Sequence, residues 1–102
     1  MTSMKPVLII FGYGPGISNA VAEKFGANGF SVALVSRNRE RLDAGVAALG
    51  AKGVEAVAFV ADAGDPAAVR RAVEEVRSRM GLVTAIEWTA YDSSAGDLTI
   101  AT

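Results

Sequence analysis

The stretch VLIIFGYGPGISNAVAEKF, Val7 to Phe25, decides how the rest of the chain reads. Val7 to Phe11 is an unbroken apolar run with β-branched residues, which suits a strand buried on both faces of a sheet. Gly12, Gly14 and Gly16 follow, with Pro15 among them, on a backbone path that side chains would obstruct. Ile17, Val21 and Phe25 then recur at helical spacing, and Gly26, Asn28 and Gly29 supply stop signals. A strand that turns through glycines into a helix start brings several backbone N–H groups to one point. The helix dipole adds partial positive charge there, so the turn is shaped for an anion such as a pyrophosphate. Gly12, Gly14, Gly16 and Ile17 are therefore the first candidate binding residues; a glycine turn with no ligand is the plainer alternative.

The same alternation repeats downstream. FSVALVS (Phe30 to Ser36) reads as a second strand, and a helix with Leu42, Val46 and Leu49 on one face ends near Gly50 or Gly53. VEAVAFV (Val54 to Val60) is a third strand. Asp65-Pro66 then starts a helix: Asp65 caps the free N–H groups, and Pro66 loses no hydrogen bond at the first helical position. Val69, Val73, Val76 and Met80 give that helix its apolar face, Arg77 and Arg79 suit its C-terminal dipole, and Gly81 closes it. LVTAIEWTA (Leu82 to Ala90) is a fourth strand, and YDSSAGDLTIAT reads as polar loop with the start of another element at Leu98 to Ala101.

The order β-α-β-α-β-α-β predicts an α/β fold, a Rossmann-like doubly wound parallel sheet with strand order 3-2-1-4. In that order the chain reverses direction between strands 1 and 4, and a crevice opens at their carboxyl ends. The glycine loop forms one lip of it and residues 89–91 the other.

Composition excludes several classes. The 102 residues suffice for one small domain, and 51% hydrophobic with 21% charged residues is a globular balance rather than a disordered one. A net charge of −1 and no dense basic block argue against nucleic acid as a partner. With neither cysteine nor histidine, disulfides and the common zinc sites are ruled out, and no metal ligands are assigned. Only five apolar residues follow the N-terminal Met1 to Pro6, too few for a leader or a membrane span, so no membrane partner and a cytoplasmic setting are expected.

The dinucleotide spacing GxGxxG fails here, because its third position is Ile17; GxxxGxG fits Gly12 and Gly16, with Ser18 in place of the last glycine. VLIIFGYGPGISNAVAEKF, followed by VALVSRNRERL and FVADAGD, resembles the first half of a short-chain dehydrogenase/reductase over nearly all of residues 5–90. The resemblance implies a dinucleotide-binding region over residues 1–90, with 91–102 a polar tail or the start of a further element. It carries the family's cofactor motif onto Gly12, Gly16 and Ile17, and places Asp62-Ala63 where the family's aspartate meets the adenine; Asp62 also suits a cap or loop turn. Where the family has Asn-Ala-Gly after strand 4, this chain has Thr89-Ala90-Tyr91, so Ala90 is retained beside the cofactor while the asparagine is not.

NAD-binding folds place an acid at the end of strand 2 to hold the ribose hydroxyls. Here that position reads Ser36-Arg37-Asn38, with no carboxylate before Glu40. Arg37 can pair with a 2′-phosphate and Ser36 and Asn38 can donate to it, which favours NADP(H) over NAD(H). Arg39 and Arg41 read as solvated helix-start residues, a reading also open to Arg37. Trp88 reads as core or edge packing.

The family's chemistry needs a tyrosine with a lysine four residues on. Ile17 stands four after Tyr13 and Ala95 four after Tyr91, and the lysines are Lys5, Lys24 and Lys52. No catalytic residue is assigned. The resemblance thus implies the NADP(H)-binding half of an oxidoreductase that moves hydride between nicotinamide and a carbonyl or alcohol substrate. The catalytic half is expected to lie outside this chain, which alone is expected to be inactive. The alternative is a non-catalytic dinucleotide-binding or subunit-pairing module. An apolar strand 4 left at a sheet edge invites pairing with a second copy. A methyltransferase would want an acid where Ser36-Arg37 stands, and no Gly-Lys-Ser/Thr marks a P-loop.

Overall fold

Strand and helix alternate along the chain as the apolar periodicity predicts. A computed structural model describes residues 5–13, 17–92 and 97–101, with 17, 18, 89–92 and 97–101 described by backbone alone. The elements run β1 (Val7–Phe11), α1 (Ile17–Ala27), β2 (Ser31–Ser36), α2 (Arg39–Ala51), β3 (Ala56–Val60), α3 (Pro66–Arg79), β4 (Val83–Asp92) and β5 (Asp97–Ala101). They build one sheet of order β3-β2-β1-β4-β5. The first four strands are mutually parallel, in the predicted doubly wound order.

β1 is central because it is apolar at every position, and each of its residues is at most 1% exposed. Successive side chains point to opposite faces of a strand. Leu8 and Ile10 pack with Leu34, Leu42 and Leu49 beneath α1 and α2. Val7, Ile9 and Phe11 pack with Phe59, Ala72 and Val76 beneath α3. The predicted α3 face holds: Val76 is fully buried, with Val69, Val73 and Met80 packed beside it.

Two helix ends use one device. After α1, Gly29 donates to Gly26 O at 3.1 Å and Phe30 to Phe25 O at 3.1 Å. After α2, Gly53 donates to Gly50 O and Val54 to Leu49 O, both at 3.0 Å. Gly29 (φ 89°) and Gly53 (φ 79°) take the left-handed conformation that this cap requires and that a Cβ disfavours. The accompanying apolar contact is present too, with the Phe25 and Phe30 rings edge to face at 4.9 Å. Gly26, read in the sequence as a stop, is instead the penultimate residue of α1, packed so closely on Val54 that a Cβ would come within 2.6 Å of Val54 Cγ1.

The C-terminal reading is met in part: β5 lies where an element was expected from Leu98 to Ala101, but strand 4 runs further than expected. Residues 91 and 92, expected in a tail, belong to β4, and β5 pairs antiparallel with it from Trp88↔Ala101 to Asp92↔Asp97. Leu98, Thr99 and Ile100 have the β-branched, apolar character that completes a ladder. β4 is therefore not the edge strand at its carboxyl end. Its opening residues, Val83 to Ile86, lie beyond the ladder with β5.

Candidate functional site

The carboxyl ends of β1, β2, β3 and β4 meet around a cleft of about 930 Å³. Gly12, Tyr13, Ser36, Asp62, Ala63 and Trp88 lie on its wall, as do the residues from Arg37 to Arg41. It opens at the predicted crevice, because the chain reverses direction between β1 and β4 there.

Each wall is fixed by local chemistry. Gly12 turns the chain out of β1 with φ 76°, and the N–H groups of Gly12 and Tyr13 both donate to Val35 O at 2.9 Å. The start of the glycine turn is thereby tied to the end of β2. Ser36 ends β2, and its Oγ accepts from the Asn38 N–H at 3.1 Å. Asn38 Oδ1 accepts from the Arg41 N–H at 3.0 Å and caps α2. On β3's side, Asp62 Oδ1 accepts from the Gly64 N–H at 2.8 Å, an Asx turn leading to the Asp65 cap of α3. Asp65 Oδ1 accepts from Ala67 N–H at 3.0 Å, as its sequence position predicts.

The arginines divide as the sequence suggests. Arg39 pairs with Asp43 one turn on, Nε to Oδ1 at 3.3 Å, both side chains well exposed, a contact worth little to stability. Arg37 has no ion-pair partner among the described residues and stands on the lip of the cleft. With the N-terminus of α2 beside it, this lip favours an anion.

Six of the ten sequence-predicted site residues thus share one cleft: Gly12, Ser36, Arg37, Asn38, Asp62 and Ala63. Gly14 and Gly16 lie outside the described residues. Ile17 is the first residue of α1, and Ala90 sits on β4 opposite Thr99. Asn38, expected as a donor, has its side-chain oxygen committed to the cap, leaving the amide nitrogen for a ligand.

Among the wall residues that sequence reasoning did not assign to the site are two aromatic ones. Trp88, read as packing, does stack on Phe11 (centroids 4.9 Å apart), yet it also borders the cleft. Its place late in the predicted fourth strand, beside the expected crevice, was the available signal. Tyr13, the one large side chain among the glycines, is only 4% exposed, and burial pushes its hydroxyl pKa up.

Comparison with known proteins agrees with this geometry. Residues 6–90 match the short chain dehydrogenase family, and the chain belongs to that oxidoreductase family. It is 36% identical over 75 residues to the 2,3-dihydro-2,3-dihydroxybenzoate dehydrogenase of Bacillus subtilis, a match covering 74% of this chain and 29% of that protein. Among solved structures, an actinorhodin polyketide ketoreductase with NADPH superimposes with a TM-score of 0.82 at 26% identity, covering 90% of this chain and 36% of that one. A metagenomic short-chain oxidoreductase in complex with NADP gives a TM-score of 0.73 at 28% identity, covering 79% and 37%. The chain spans between 25% and 35% of the length of the curated relatives it matches. Among the described residues, no helix is long and apolar enough to cross a membrane.

Proposed function

We propose that this chain is the NADP(H)-binding region of an oxidoreductase that moves hydride between nicotinamide and a carbonyl or alcohol. The observation that carries the reading is Arg37, just after β2 on the lip of the cleft and with no ion-pair partner among the described residues, where an NAD-binding fold would hold a carboxylate. The walls suit such a cofactor. Gly12 has no side chain to obstruct the pyrophosphate, Arg37 and Ser36 would hold the 2′-phosphate, and Asp62 keeps Oδ2 for the adenine amino group. Relatives that bind NADPH or NADP lend support. When bound, nicotinamide would supply or accept the hydride.

Proton transfer is assigned to no residue of this sequence, since neither Tyr13 nor Tyr91 is followed by a lysine four residues on. Tyr13 is further removed from such a role by its burial and by its bond to Asn19. Calorimetric titration with NADPH, NADH and S-adenosylmethionine tests the reading. NADPH should bind most tightly; a folded chain that binds S-adenosylmethionine instead, or no nucleotide, contradicts it.

A further inference from the structure

Tyr13 stands in the glycine turn but is buried in the core beneath α1 and α2, with Leu8, Ile10 and Leu42. Its hydroxyl donates to Asn19 Oδ1 in the first turn of α1. Its ring lies against the backbone of α2 at Gly45, where an added Cβ would come within 2.6 Å of Cζ and 2.7 Å of Cε2. Its N–H is bound to Val35 O of β2. A single residue therefore touches the turn, both helices that flank it, and the strand leading to Arg37. Gly45 has no other evident reason to be glycine: a glycine in a helix interior costs stability, and the three atoms nearest the place of its missing side chain all belong to Tyr13.

We infer that Tyr13 is a positioning residue: wedged between Asn19 and Gly45, it sets the gap between Gly12, where the turn out of β1 begins, and the Arg37 lip before α2. A dinucleotide that engages both must have its pyrophosphate and its 2′-phosphate held at one fixed separation, so the gap governs preference for the 2′-phosphorylated form. This rests on the proposed NADP(H) reading. A tyrosine hydroxyl is protonated at neutral pH, and burial pushes its pKa further up, so the bond to Asn19 persists there. Interiors transmit such displacements because they are close-packed and do not deform smoothly.

The test is a double-mutant cycle on the full 102-residue chain, with the NADH-to-NADPH ratio of dissociation constants as readout and a thermal melt on every variant. Tyr13→Phe keeps the wedge and should leave the ratio within about twofold of the wild type, well under the tenfold that a lost polar contact gives. Gly45→Ala, which helix propensity favours, should displace the ring and lower the ratio by on the order of tenfold. Tyr13→Ala should do the same, and the double variant should lose no more than either single one. Additive losses, or an unchanged ratio in folded Gly45→Ala, overturn the inference. A wild-type chain with no NADPH preference overturns the NADP(H) reading itself, and does so before any variant is compared.

Discussion

At the scale of single residues, the sequence is most informative where a residue does one job. Asp65 before Pro66 reads as a cap and is one, so Asp65→Ala should lower unfolding stability by about 1 kcal/mol in a urea titration. It is least informative where a residue does two. Asn38 looks like a cofactor ligand from its place after Arg37, yet its oxygen caps α2, a role that depends on where the helix begins. Tyr13 gives no sequence signal of burial, because its burial depends on Gly45, distant in the chain but against the ring in space. Burial raises its pKa above the ordinary 10.0, so the unfolded chain ionises first. Its contribution to stability should therefore be complete below that ordinary value and be lost as pH rises through the higher folded one. The difference in urea midpoint between wild type and Tyr13→Phe should change as pH rises past 10.0; a difference that stays constant there would contradict the buried placement.

At the scale of elements, apolar periodicity recovers β1 to β4 and all three helices, with boundaries displaced by a residue or two. The strands are buried runs and the helices carry 3.6-residue faces, which are local signals. β5 is harder to read because five residues of mixed polarity become a strand only through their ladder with β4. Helix ends offer a sharper test. Gly50 lies within α2 and Gly53 just beyond it in the left-handed conformation, and a Cβ would meet nothing within 4 Å at either. Gly50→Ala should therefore stabilise by about 0.5–1 kcal/mol, through helix propensity. Gly53→Ala should destabilise by roughly 1–2 kcal/mol through backbone strain alone. The same substitution three residues apart should thus have opposite signs in a thermal melt, and equal signs would contradict the cap.

At the scale of the whole molecule, topology gathers the site. Arg37, Asp62 and Trp88 share no local pattern with Gly12; they converge because parallel strands end on the same side of the sheet. That convergence follows from the predicted strand order, while the family resemblance named Asp62 and Ala63 among the six predicted residues that share the cleft. The covering of the sheet is uneven among the described residues: Leu82, just before β4, and Ile86, within it, are 61% and 51% exposed, ahead of the ladder with β5. Cofactor binding and turnover also separate at this scale. The 102-residue chain should reduce no carbonyl substrate above background with NADPH, and sustained turnover would refute the assignment of proton transfer outside this sequence.

If Arg37, just after β2, recognises a 2′-phosphate, as proposed, the affinities of wild type and Arg37→Ala for NADPH and NADH, measured side by side, must show it. The account predicts that Arg37→Ala weakens NADPH by on the order of tenfold, as expected for a partly solvated charge-assisted contact, and leaves NADH within about twofold. Equal losses for both dinucleotides, or no loss for either, would contradict it.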